Sequence, residues 1–186
     1  IMFTSNNTTR EQLVAAMDNG GSIVNLDDIS LIQKLPAVPE LLCFRYNPGA
    51  ARQGNDIIGK PEEAKYGLTR EQIFSAYEQA KSMGVKRFGL HTMLASNELN
   101  FQYMIDTADM LLQLIEEINQ ALDIRFEFIN IGGGLGIPYT PDAEPFNLGG
   151  MAKGIIRSFG AFKDKNGWIP KLYMESARFI TGPHGV

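Results

Sequence analysis

The sequence has a single cysteine, Cys43, among its 186 residues. One cysteine excludes an internal disulfide and any metal site built from several thiolates. The chain also lacks a run of lysines or arginines, and its formal net charge is -4. It therefore has no electrostatic footprint for a nucleic acid or an acidic membrane surface. No apolar run approaches the roughly 18 residues that a membrane span needs. These absences favour a cytoplasmic protein that acts on a small molecule.

Short apolar runs alternate along the chain with longer segments of helical periodicity, which is typical of parallel α/β folds. The pattern predicts strands at residues 1–4, 22–26, 41–46, 87–91, 128–131 and 171–175. Helices are predicted at about residues 8–19, 29–35, 70–83, 100–122 and 151–162. Thr8 or Thr9 can cap the first helix, and Asp27 or Asp28 can cap the second. The segment 47–69 has little periodicity and predicts a long loop.

An apolar run, Phe128–Ile131, breaks abruptly into three glycines, Gly132, Gly133 and Gly134. Adjacent glycines let backbone N–H groups turn outward and let an anion approach closely, so the loop is a candidate nest for a phosphate. A tight turn without a ligand is the alternative. The dinucleotide-binding fingerprint does not fit, because Ile137 falls at its third glycine position when the motif begins at Gly132.

Two architectures fit six β-α units: a partial barrel of the eightfold kind and an open doubly wound sheet. Polar residues at the carboxyl ends of several predicted strands favour the barrel, because barrel sites are built there. They are Ser5, Asn6, Asp27, Arg45, Asn47, His91, Ser96, Glu175 and Arg178. The glycine loop and the Glu175–Arg178 stretch follow the last two strands, which predicts a phosphate site between them. A phosphorylated cofactor would fit such a site.

Other single residues are interpreted as structural. Cys43 lies in an apolar run and is expected to be a small buried hydrophobe. His91 is expected to be a hydrogen-bonded residue at a strand end rather than a catalyst. Trp168 and Tyr173 are expected to cover the core.

The order of the motifs resembles the pyridoxal-phosphate-dependent decarboxylases that are built on an alanine-racemase-like barrel, and among them the diaminopimelate decarboxylases most closely. Six segments carry the resemblance, and together they run through nearly the whole chain. They are Phe3–Thr8, Leu42–Pro48 (similar to "LRINP"), Lys65–Leu68 ("KFGI"), Phe88–Ser96 ("GLHxHIGS"), Ile131–Gly136 ("GGGLG") and Glu175–Arg178 ("EPGR").

The resemblance implies a partial (β/α)8 barrel, its third to eighth units, that forms a single domain over residues 1–186. The chain opens inside a strand-like run, and we expect the first two strands and a C-terminal β-domain to lie outside it. The resemblance places the lysine that binds the cofactor on the first strand, and none of the lysines here has that context. A homodimer is implied for the full-length protein.

Pyridoxal 5'-phosphate is the implied cofactor, and no metal is implied. Glu175 would pair with the ring nitrogen and is the implied catalytic residue, and Arg45 would lie near the ring. Arg178 would also lie near the carboxylate of the substrate, and Lys65 could order the long loop. The implied phosphate ligands are Ser96, the amides of Gly132, Gly133 and Gly134, and the turn at Ala177 and Arg178.

The chain departs from the family motifs at two places. Met93 stands where the family has a histidine stacked on the cofactor, and a thioether can still pack there. Ser176 and Ala177 replace the proline and glycine of "EPGR", which makes close backbone approach to the phosphate harder.

The function implied by the resemblance is decarboxylation of an amino acid, with meso-diaminopimelate converted to L-lysine. A polyamine-pathway decarboxylase acting on ornithine, arginine or carboxynorspermidine is one alternative. A non-catalytic barrel relative that binds a partner or a cofactor is another. Residues 1–186 alone are expected to be inactive, because they lack the lysine.

Overall fold

The computed structural model describes residues 1–51 and 66–184. Six strands are present: β1 (Met2–Ser5), β2 (Ile23–Leu26), β3 (Leu41–Arg45), β4 (Arg87–His91), β5 (Phe126–Gly133) and β6 (Lys171–Glu175). The α-helices are α1 (Arg10–Asp18), α2 (Arg70–Ser82), α3 (Phe101–Leu122), α4 (Leu148–Asn166) and α5 (Ala177–Thr181). Short 3-10 helices lie at Ile29–Lys34, Gly49–Ala51 and Gly182–His184.

All six strands form one parallel sheet in which each strand pairs with the next along the chain. The order of strands in a doubly wound sheet reverses at a switch point, so that alternative is wrong. The sheet is curled, and side chains meet across its concave face: Asn130 Nδ2 on β5 lies 3.6 Å from Met2 Sδ on β1. The chain is therefore a curled α/β half-barrel.

The six predicted strands and four of the five predicted helices are confirmed, with differences at their ends. Helix α4 begins at Leu148 rather than near residue 151, because the Asn147 side chain accepts the Gly150 N–H at 2.8 Å. The second predicted helix is a 3-10 helix of six residues. Helix α5 was not predicted. Lys65 and the middle of the predicted long loop lie outside the described residues.

Side chains cap the helices as expected. Thr9 begins α1 with a capping box, in which its hydroxyl accepts the Gln12 N–H and Gln12 returns a bond to the Thr9 N–H. Asp28 caps the following 3-10 helix by accepting the Ser30 N–H at 2.7 Å. These caps satisfy backbone donors that have no partner inside a helix.

The core between the sheet and its helices centres on Tyr77 of α2, which is fully buried. Its ring meets Phe44, Phe88 and Phe126 edge to face, with centroids 5.0, 6.0 and 5.0 Å away. Its hydroxyl donates to the Gly89 carbonyl at 2.5 Å. Because side chains alternate along a strand, the residues next to these aromatics face the inside of the half-barrel.

An extra residue in β5 changes which side chains face inward. Phe88 pairs with Phe126, but the next residue, Gly89, pairs with Phe128, so the register shifts by one. Phe126 therefore faces α2, and Phe128 faces the interior, where it stacks on Tyr173 with a centroid distance of 4.5 Å. A second register shift follows where β5 enters the glycine loop.

Several structural expectations for single residues are confirmed. Cys43 is fully buried, and burial raises the pKa of its thiol well above the ordinary value. Trp168 packs on the core against Phe162, with ring centroids 5.0 Å apart.

Among the described residues, no helix is long and apolar enough to cross a membrane.

Candidate active site

Glu175 ends β6 and its carboxylate lies at the carboxyl end of the sheet. Its Oε1 atom accepts the Asn130 amide N–H at 2.8 Å and lies 3.3 Å from His91 Nε2. The N–H of His91 is the largest cause that holds the pKa of Glu175 below its ordinary value, and burial of the carboxylate opposes it. Asn130 and the positive charge of Arg45 lower the pKa further. Glu175 is therefore ionised at neutral pH.

His91 is itself buried, with 2% of its surface exposed. Its Nδ1 atom lies 3.0 Å from the side-chain nitrogen of Asn25 on β2. The same Asn25 nitrogen lies 3.1 Å from Thr4 Oγ1 on β1. A line of polar contacts thus crosses the inside of the half-barrel from β1 to β6. The expectation that His91 makes hydrogen bonds at a strand end agrees with this geometry.

The three loop glycines are required by close packing between neighbouring strand ends. A Cβ at Gly132 would lie 2.4 Å from the Thr92 carbonyl oxygen, and one at Gly134 would lie 2.2 Å from that of Ala95. A Cβ at Gly133 would lie 2.2 Å from the carbonyl oxygen of Glu175. Gly132 and Gly134 also have φ of +74° and +94°, where other residues are strained. The backbone of the loop is thereby held directly against Glu175.

Side chains hold two of the loop amides. The Gly132 N–H donates to Asn130 Oδ1 at 2.9 Å, and the Gly133 N–H donates to Met93 Sδ at 3.1 Å. The predicted anion nest thus has two of its three glycine N–H groups bonded to the protein. Asn130 links the loop to Glu175, because its oxygen binds the loop and its nitrogen binds the carboxylate.

Arg45 lies beside this group at the end of β3. Its Nη2 donates to the Met93 carbonyl at 3.3 Å, and its guanidinium lies 5.7 Å from the ring centroid of Tyr66. Burial lowers the pKa of Arg45, and the charges of Asp27 and Glu175 oppose that shift. Arg45, Met93, the glycine loop and Glu175 are therefore brought together as the sequence predicts.

The other predicted residues lie at the edge of this group. Ser96 follows Ala95, whose carbonyl oxygen packs against Gly134. Ala177 opens α5 directly after Ser176. Arg178 lies exposed in α5 and makes no ion pair with Glu175 in the described chain. The structure therefore does not pair Arg178 with the Glu175 carboxylate.

Three polar residues of the group were not predicted: Asn25, Asn130 and Ser176. Asn25 and Asn130 are buried polar residues inside apolar strands, and that placement is the signal that could have found them. The inward direction of Asn130 also depends on the extra residue in β5, which strand alternation alone does not reveal. Ser176 was noted only as a departure from a motif.

The group borders a cavity of about 770 Å³ on the inner side of the sheet between β1 and β6. Its lining includes Glu175, Asn130, Tyr173 and Thr4. The buried Ser176 hydroxyl, next to Glu175, has no hydrogen-bond partner in the described chain. An ionised carboxylate beside an unpartnered hydroxyl fits a ligand that carries both a protonated nitrogen and a phosphate.

The family model described as "Pyridoxal-dependent decarboxylase, pyridoxal binding domain" matches residues 1–182 of this chain. The chain is 33% identical over 186 residues to Protein TabA of Pseudomonas amygdali pv. tabaci, which covers 100% of this chain and 44% of that protein. It is 34% identical over 191 residues to the diaminopimelate decarboxylase of Methanothermobacter thermautotrophicus, with 98% of this chain and 44% of that protein covered.

A crystal structure of diaminopimelate decarboxylase from M. jannaschii superposes with a TM-score of 0.82. The two are 25% identical, and the match covers 94% of this chain and 42% of that chain. This chain therefore spans less than half the length of the relatives that it matches.

Proposed function

The chain belongs to the family of pyridoxal-dependent decarboxylases through their pyridoxal-binding domain, and from this we propose that its protein decarboxylates meso-diaminopimelate to L-lysine. The observation that carries the proposal is the ionised Glu175 carboxylate, held by His91 and Asn130 against the glycine loop. The choice of substrate is supported by the relatives at 25 to 34% identity that are named diaminopimelate decarboxylases.

Residues on this chain would hold pyridoxal 5'-phosphate at both of its polar ends. Glu175 would hold the protonated ring nitrogen. Ser176, Ser96, the Gly134 end of the glycine loop and the start of α5 would hold the phosphate, because the Gly132 and Gly133 N–H groups already bond to Asn130 and Met93. When bound, the cofactor supplies an electron-withdrawing ring that accepts the electron pair left behind as the carboxylate departs as carbon dioxide.

The residues around Glu175 keep it charged and fixed. Asn130 and His91 are each 2% exposed, so water is excluded on their side of the carboxylate, while the Glu175 side chain itself is 47% exposed. Arg45 would orient a negatively charged group beside the ring, because its guanidinium is tied to the Met93 carbonyl and to the Tyr66 ring. Arg178, which lies on α5, is our candidate for binding the carboxylate of the substrate.

The amine that binds the cofactor would come from another part of the protein. In the described chain, no lysine lines the cavity beside Glu175. Lys171 lines a separate cavity of about 340 Å³ at the opposite end of the strands. Following the family resemblance, we propose that the lysine lies outside residues 1–186, which would be the third to eighth units of a barrel. The full-length protein would be a cytoplasmic homodimer with a further β-domain.

The test uses the complete protein that contains this chain, loaded with pyridoxal 5'-phosphate. We expect release of carbon dioxide and formation of L-lysine from meso-diaminopimelate, and much slower release from ornithine and arginine. Residues 1–186 alone should release carbon dioxide no faster than free cofactor does. Preference for ornithine or arginine would move the protein to the polyamine branch. Cofactor binding without decarboxylation of any amino acid would make it a non-catalytic relative.

A further inference from the structure

His91 has two ring nitrogens, and each faces a different strand. Nδ1 lies 3.0 Å from Asn25 Nδ2, and Nε2 lies 3.3 Å from Glu175 Oε1. Nε2 is buried, and no residue that the structure describes meets full hydrogen-bond geometry with it, so the Glu175 oxygen is its closest polar contact. His91 is therefore the residue through which β2 and β6 are connected.

The contact with Asn25 decides where the proton of the imidazole lies. The Asn25 nitrogen is shared between His91 Nδ1 and Thr4 Oγ1, and an amide nitrogen only donates. Nδ1 must then accept, so a neutral ring carries its proton on Nε2. That N–H faces the Glu175 carboxylate.

The charged and titratable groups that face His91 come from the neighbouring strands. The charged groups around His91 are Glu175 from β6 and Arg45 from β3, and their charges are opposite. Strand β3 also contributes the Cys43 thiol, which burial keeps protonated. Strands β2 and β5 contribute only the amides of Asn25 and Asn130.

We propose that His91 is a positioning residue that, with Nδ1 fixed as an acceptor by Asn25, aims Nε2 at one oxygen of Glu175 and leaves the other oxygen for the ligand. Asn130 and His91 both contact Oε1. Oε2 has no hydrogen bond with the described chain. The Asn130 hydrogen bond and the close approach of His91 Nε2 both act on the same oxygen, so they limit the rotation of the carboxylate and set the direction in which Oε2 can accept.

The same arrangement joins the two ends of the site. Asn130 binds Glu175 through its nitrogen and the Gly132 N–H through its oxygen. A change at His91 would therefore alter the carboxylate first and the glycine loop only through Asn130. This inference rests on the proposed function, because the ligand of Oε2 is taken to be the cofactor ring.

The first experiment needs no cofactor and uses imidazole nitrogen NMR on the complete protein labelled with ¹⁵N-histidine. The signals missing from a His91→Gln variant identify His91. We expect an unprotonated Nδ1 and a protonated Nε2 at pH 7, and a shift of the Nε2 signal in Glu175→Gln. Two protonated nitrogens, or no response to Glu175→Gln, would overturn the proposal.

The second experiment compares His91→Gln, which keeps an N–H donor at the same reach, with His91→Leu, which removes it. The readout is the pH dependence of the visible absorption of bound pyridoxal 5'-phosphate. In His91→Leu, the acid-side transition of this absorption should move up by about one pH unit. Turnover should fall about tenfold, with a smaller change in KM. His91→Gln should restore most of the turnover and most of the pH profile.

The outcomes separate this inference from the proposed function. Failure of the unaltered protein to bind pyridoxal 5'-phosphate would remove the proposed function, while the NMR result would still report on the contact between His91 and Glu175. Normal cofactor binding with an unchanged pH profile in His91→Leu would leave the proposed function standing and overturn the positioning role. If His91→Leu does not fold, the NMR comparison with Glu175→Gln still decides.

Discussion

The sulfur of Met93 accepts the backbone N–H of Gly133 at 3.1 Å. This contact joins the loop after β4 to the glycine loop after β5, at the position where the family resemblance implies a histidine. A thioether is a weak acceptor and a soft packing group. Met93 therefore performs a structural task in this chain, whichever group lies above it.

We expect Met93→His to be tolerated in the complete protein and Met93→Leu to be harmful to cofactor retention. An imidazole nitrogen can accept the Gly133 N–H in place of sulfur, whereas leucine keeps the volume but leaves that donor without a partner. The measurement is titration of the apo protein with pyridoxal 5'-phosphate, and a thermal melt of each variant controls for folding. Equal affinities in the two variants would show that the contact with sulfur has no role.

A second prediction concerns the close approach of Gly89 and Phe128. A Cβ at Gly89 would lie 2.1 Å from Phe128 Cζ, so Gly89→Ala must displace a ring that is stacked on Tyr173. We expect a loss of about 1 to 3 kcal/mol in the free energy of unfolding. The control is Gly160→Ala in α4, where a Cβ meets nothing within 4 Å. That change should stabilise by about 0.5 to 1 kcal/mol. Denaturant unfolding of both variants measures the difference.

Much of the fold could be predicted because it depends on local pattern. Apolar runs and caps such as Thr9 and Asp28 place the strands and helices to within a few residues. The pairing of consecutive strands could be inferred from the polar strand ends and from the family resemblance. The two register shifts in β5 could not be predicted, because they result from packing against β4 and β6.

The site could also be predicted in part from the sequence. Glu175, Arg45, Met93 and the glycine loop come together because the carboxyl ends of parallel strands meet at one edge. Asn130 was missed, since its inward direction follows from the extra residue in β5. The sequence suggested that the glycines receive a phosphate. The structure adds a reason that needs no ligand, which is their packing against the strand ends beside them.

A third prediction concerns Asp27 and Asp28, two adjacent carboxyl groups whose pKa values are shifted in opposite directions. Asp27 is 5% exposed, its Oδ1 has no partner in the described chain, and burial raises its pKa. Asp28 has its pKa lowered by its hydrogen bonds with Ser30. A carboxyl group whose pKa is raised by folding costs the protein stability at pH values where the group is charged. A carboxyl group whose pKa is lowered by folding contributes stability at pH values above its ordinary pKa.

Asp27→Asn should therefore stabilise the protein at pH 7, and the gain should fade as the pH drops through the raised pKa of Asp27 and vanish below about 4. Asp28→Asn should destabilise at pH 7, and that loss should fade only as the pH falls below about 4 toward the lowered pKa. Unfolding free energies measured from pH 3 to 7 test both. The same sign in the two variants would contradict the assignment of the two environments.

The last prediction concerns Glu175, whose carboxylate is proposed to accept a hydrogen bond from the ring nitrogen of the cofactor. Its pKa is held low by the His91 N–H and by Asn130, so the group remains charged through the acid range in which other carboxylates begin to protonate. A charged acceptor makes a stronger hydrogen bond than a neutral one. If that bond strengthens as electrons move toward the ring, it raises turnover rather than binding.

Glu175→Gln keeps the shape and the contact with Asn130 but removes the charge. We expect most of the cofactor affinity to remain and turnover to fall by roughly 100-fold or more, on the order of 3 kcal/mol of barrier. The control is Glu40→Gln, which removes a carboxylate that is 77% exposed and pairs with Arg87 at the opposite end of the strands. That variant should retain near-normal turnover. Steady-state kinetics with a cofactor titration on each variant provide the test. Near-normal turnover in Glu175→Gln would falsify the assignment, because the carboxylate would then serve only to hold His91 and Asn130 in place.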